Sequence, residues 1–142
     1  MSFEIKIKGL SDRYLADVRS PDITGFVDQL FSVAAETGTV ACVFDGGKRL
    51  QFFVRPTETR VMGAASRPAQ TPTTCIVERE AARSILRMIC ARLGVICKEH
   101  TTTDISPYGA KAVLNYDVQD QKRWSISFTN TPERQEFLIE AV

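Results

Sequence analysis

The residues best suited to chemistry in this chain are basic. Arg79, Arg83 and Arg87 recur every four residues, which on a helix sets three guanidinium groups on one face. Lys48-Arg49 and Lys122-Arg123 stand where the second strands of two expected hairpins begin. Guanidinium and ammonium groups in that density suit phosphates or an acidic protein surface. Against them stand Glu78, Glu80 and a net charge of only +1, so no global field draws nucleic acid or a membrane surface and a solvated basic face is the plain alternative.

Other chemistries fail on residue type or spacing. The single histidine, His100, lies in KEHTTTD, where a general base near Glu99 and Asp104 competes with an ordinary surface histidine. A nucleophilic triad needs such a base within reach of a serine or cysteine, and nothing else supplies one. The four cysteines, Cys42, Cys75, Cys90 and Cys97, form no closely spaced pair and sit in apolar runs, so reduced buried thiols are expected and a zinc site is not. Asp45-Gly46-Gly47-Lys48 is too short for a phosphate loop and reads as a hairpin turn. No catalytic residue, cofactor or metal is assigned. The expectation is that the chain is not an enzyme.

The elements that carry these residues follow from periodicity. Phe3, Ile5 and Ile7 alternate with polar neighbours and predict a strand. Ser20-Pro21, then Ile23, Phe26, Val27, Leu30, Phe31 and Ala34 predict a helix over 21–36 closed by Gly38. Gly38–Glu58 reads as the first hairpin. A polar, proline-containing loop is expected over 57–74, then a helix over 78–93 stopped by Gly94, with Glu78 and Glu80 at its start. Val95–Thr103 predicts a strand, and Gly109–Glu133 a second hairpin. Thr131-Pro132 followed by ERQEFLIEAV predicts a C-terminal helix.

The expected fold is α+β: one domain over residues 1–142, a mostly antiparallel sheet under amphipathic helices 21–36 and 78–93 and the C-terminal helix. That last helix ends without a stop signal, so a piece of a longer chain is one reading and a docked terminal helix the other. KRLQFFVRPTE lies against KRWSISFTNTPE, an internal echo consistent with two αββ units. No apolar run is long enough to span a membrane as a helix, and MSFEIKIKGL is not a secretory leader, which predicts an intracellular protein, cytoplasmic or nuclear.

Two resemblances attach to these motifs. MSFEIKIKGL, an amphipathic helix and TVACVFDGGKRLQFFV resemble the start of a sliding-clamp domain of the checkpoint type, with similar element order over residues 2–129. That resemblance implies assembly around DNA with basic helix faces toward phosphates. KRWSISFTNTPERQEFLIEA is similar to the last strand and helix of a pleckstrin-homology domain, a fold the two earlier helices do not fit.

The expected function is a non-catalytic protein–protein interaction or assembly module, with another chain or a second copy as partner. The alternative is a DNA-associated, clamp-like protein. The contact residues expected in either case are Lys48, Arg49, Arg79, Arg83, Arg87, Lys122 and Arg123.

Overall fold

A computed structural model describes residues 3–17, 19–44, 49–54 and 74–142. The elements are α1 (Phe3–Tyr14), α2 (Ile23–Thr37), β1 (Thr39–Phe44), β2 (Arg49–Val54), β3 (Thr74–Glu80), α3 (Arg83–His100), β4 (Gly109–Val118), β5 (Gln121–Asn130) and β6 (Gln135–Ala141). The α+β class holds. One six-stranded sheet, ordered β3-β2-β1-β6-β5-β4 and antiparallel at every junction, carries the helices on one side. One half runs α1-α2-β1-β2-β3 and the other α3-β4-β5-β6, so each carries one strand more than the expected αββ.

Alternation divides the sheet into two faces. Val40, Cys42, Leu50, Phe52, Trp124, Ile126, Phe137 and Ile139 are buried beneath the helices. Ala41, Val43, Phe53, Ser125, Ser127 and Leu138 occupy the other face and are half-buried. Helix α2 presents Phe26 and Phe31 to both meanders. Phe26 meets Phe52 edge-on at 6.1 Å, and Phe31 meets Trp124 and Tyr116, each at 5.0 Å. Gly38, at φ 95°, ends α2 as expected and turns the chain directly into β1. The helix start is shifted: Asp22, not Ser20, is the N-cap, accepting from the Gly25 amide at 2.9 Å.

Four segments depart from expectation, each for a physical reason. Residues 3–14 form α1 rather than a strand. Phe3, Ile7, Leu10 and Tyr14 recur at spacings of four, three and four, a helical stripe that packs against the core and leaves Ile5 60% exposed. Residues 78–80 belong to edge strand β3, held by pairing with β2, and α3 begins only at Arg83. Gly94 does not stop α3. A Cβ there would lie 3.4 Å from the Phe128 ring, so the missing side chain lets the helix pass close over β5, and Ile96 and Cys97 continue the buried stripe. Residues 95–100 are therefore helix, not strand.

The C-terminal segment is strand β6, not a helix. Thr131-Pro132-Glu133-Arg134 is the tight turn from β5, with the Thr131 amide donating to the Arg134 carbonyl at 2.9 Å. The threonine–proline pair that can cap a helix can equally open a turn. Gln135, Phe137 and Ile139 then alternate into the core. The turn Asp45-Gly46-Gly47 and the 57–74 loop, apart from Thr74 at the start of β3, lie outside the described residues.

Between β4 and β5 the register shifts after Asn115, and Gln119 and Asp120 take positive φ in the turn. The buried Trp124 indole donates to the Tyr116 carbonyl at 2.7 Å, beside that shift.

Two substitutions test these assignments. Gly9 sits mid-α1 with nothing within 4 Å of an added Cβ. Gly9→Ala is expected to stabilise the fold by about 0.5–1 kcal/mol through helix propensity, a rise of roughly 2–4 °C per kcal/mol in thermal unfolding. A strand over residues 3–8 would not respond this way. Trp124→Phe should cost about 1–3 kcal/mol in denaturant unfolding by orphaning the Tyr116 carbonyl.

Candidate partner interface

Of the six expected contact residues that are described, four are engaged within the fold and make no common surface. Arg79 lies on β3, not on a helix face with Arg83 and Arg87; strand alternation turns it to the helix side, where it pairs with Asp12 of α1 at 2.7 Å. Arg83 donates to the Pro132 carbonyl at 3.0 Å, with its guanidinium 5.2 Å from the Phe44 ring centroid. Arg49 pairs with Glu78 at 3.2 Å, and Lys122 with Asp117 at 3.3 Å. Lys48 lies outside the described residues. Among the described residues, only Arg87 and Arg123 of this set have no side-chain partner.

Arg49 and Arg123 are also far apart. Strands β2 and β5 are separated by three antiparallel steps, so they run in opposite directions. Arg49, opposite Glu80, and Arg123, opposite Asn115, consequently lie at opposite ends of the sheet.

The other candidate chemistries are placed as follows. His100 is exposed, with its ring 4.7 Å from that of Tyr116. Burial pushes the Tyr116 hydroxyl pKa up, and the Asp28 carboxylate adds to the shift. Among the described residues, no three metal-ligating side chains come together, and no helix is long and apolar enough to cross a membrane. Cys42, Cys90 and Cys97 are buried free thiols; the side chain of Cys75 lies outside the description. Cys90 Sγ donates to the Glu136 carbonyl at 3.5 Å. Burial raises the Cys90 thiol to about 12 and the Cys97 thiol to about 11.

What the sheet offers instead is its edges. Three bonds fix which backbone groups point outward: Asn130 N to Tyr108 O at 2.8 Å, Ala141 N to Gly38 O at 2.9 Å and Val142 N to Arg123 O at 3.0 Å. Antiparallel bonding alternates residue by residue. Carried through the registers, it gives the amides of Ala110, Ala112 and Leu114 to β5 and turns those of Lys111, Val113 and Asn115 outward. At the far edge Val77 and Arg79 bond to β2, and the backbone groups of Glu78 and Glu80 point outward. Strand β4 is ten residues long and, among the described residues, has a neighbour on one side only. Two large apolar side chains are exposed along it, Val113 at 49% and Tyr108, one residue before it, at 63%. Basic-residue spacing gave no signal for this edge; the alternation of KAVLNYDV marks the strand but not its place at the edge.

No protein-family profile matches the chain, and no curated protein matches it.

The thiols supply a pH test. A folded-state pKa above the unfolded value, near 9, means that the unfolded chain loses these protons first as pH rises. Stability is expected to be unaffected by these thiols below pH 9 and to fall from there toward about 12. Denaturant titrations of wild type and Cys90→Ala should show a shallower alkaline loss in the variant.

Proposed function

We propose that this protein is a non-catalytic interaction and assembly module whose working surface is the outer edge of β4. The observation that carries the reading is a ten-residue edge strand with outward amides at Lys111, Val113 and Asn115 and exposed apolar groups at Val113 and Tyr108. Long unblocked edges accept another strand, with backbone bonds providing affinity and alternate side chains providing selectivity. The buried, high-pKa thiols suit a reducing compartment, supporting an intracellular setting, cytoplasmic or nuclear.

The clamp-like, DNA-associated reading draws its support from Arg87 and Arg123, the two basic side chains of the expected set without a partner among the described residues. Two free charges that no shared element joins give it less support than the edge strand gives the first reading.

A photo-crosslinking residue placed at Val113 is expected to give a discrete protein adduct in extract of the producing cells, and the same residue at the exposed Lys98 is not. Lys111→Pro should abolish the adduct. It removes an outward amide and leaves those bonded to β5. Equal labelling from both positions would overturn the edge reading. Under the clamp-like reading, duplex DNA binding should show a steep salt dependence and fall with Arg87→Glu.

A further inference from the structure

We infer that the strand seated on β4 is β3 of a second copy of this chain, joined head to tail. The inference rests on the edge reading above and names its partner.

The order β3-β2-β1-β6-β5-β4 sets two three-stranded meanders side by side, each running from its last strand to its first across the sheet, with corresponding strands in opposite directions. Their internal seam places the first strand of one meander, β1, antiparallel to the last strand of the other, β6. Among the described residues the unpaired edges are the complementary two: β4 is a first strand and β3 a last strand. A second copy adding its β3 to β4 again joins a first strand to a last strand, keeps every junction antiparallel and keeps the helices on one side of the continued sheet, with its hydrogen-bonded pairs on the open face rather than the helix face.

Side chains agree with the topology. Outward backbone groups must face outward ones, so Lys111, Val113 and Asn115 meet Glu78 and Glu80 of the second copy. In both registers that pair these glutamates with Lys111, the lysine has a carboxylate directly opposite it on the open face. Glu80 has no side-chain partner among the described residues. The internal seam also carries glutamates on the open face of its last strand: Glu140 opposite Thr39 and Glu136 opposite Val43. A β4–β4 pairing of two copies would instead use one edge twice and leave Glu80 without a cation.

Because the two joined edges differ, the contact is heterologous and propagates until it closes on itself. That makes a mixing experiment decisive. Val113→Pro removes an outward amide on β4, and Glu78→Pro removes one on β3. Hydrogen exchange checks the first variant's fold, since Ala112 and Leu114 should keep their protection. By light scattering, wild type is expected above monomer mass, each variant alone at monomer mass, and their mixture at twice monomer mass and no higher. Where a proline variant fails to fold, Lys111→Glu and Glu80→Lys replace the pair. Each is expected to weaken association about two- to fivefold, and mixing the two should restore it. The inference is overturned by a wild type that stays monomeric at every concentration, by association that Val113→Pro leaves unchanged, or by a Glu78→Pro variant that still dimerises through β4. A monomeric wild type that still crosslinks from Val113 to another protein would overturn the self-pairing and leave the edge reading standing.

Discussion

The structure depends on the seam between β1 and β6. Each meander alone is three strands under one main helix, at the lower limit of what holds together in water. The seam makes one sheet of the two, with Val40 and Cys42 beside Ile139 and Phe137, all buried. It is reached from both ends of the chain. Gly38 takes the positive φ that drops α2 straight into β1, and its carbonyl accepts the Ala141 amide at the end of β6. A bulky residue at 38 would strain the bend that starts one side of the seam.

Helix α2 is the second tie between the halves. Phe26 reaches Phe52 of the first meander; Phe31, five residues on, reaches Trp124 and Tyr116 of the second. Edge-to-face pairs of this kind add about 0.5–1.5 kcal/mol each beyond area burial. Most of the gain comes from burying the rings themselves. Seam and helix together explain why two similar units form a single core rather than two small ones.

How much of this is legible in the sequence depends on whether one period is unambiguous. Residues 23–37 carry a single clean helical stripe, and 40–44, 50–53 and 124–130 alternate cleanly, so these elements can be read directly. Residues 3–14 satisfy two periods at once. Phe3 and Ile7 belong to both, and only the burial of Leu10 and Tyr14 beside them, with Ile5 left in solvent, separates helix from strand. Residues 135–141 pose the same ambiguity in reverse, because Phe137, Leu138 and Ala141 also fit a helix. Tertiary pairing decides there, since β6 is held between β1 and β5. Gly94 shows a third cause. A glycine that seems to end a helix is also what a helix needs where it crosses a strand closely.

The candidate interface was less legible than the fold, for an electrostatic reason. Lysines and arginines announce themselves in a sequence, but four of the expected contact residues are matched within the fold: Arg49 with Glu78, Arg79 with Asp12, Arg83 with a carbonyl and Lys122 with Asp117. Exposed pairs of this kind contribute about 1 kcal/mol or less to stability, yet they still reduce the charge left for a ligand. Unsatisfied backbone groups, by contrast, leave no mark in composition. They become visible only when the strand order shows which strands have a single neighbour and the hydrogen-bond phase shows which amides face out. The edge strands of this sheet are set by its topology. The lysine on one and the glutamates on the other then bear on which partner can complete them.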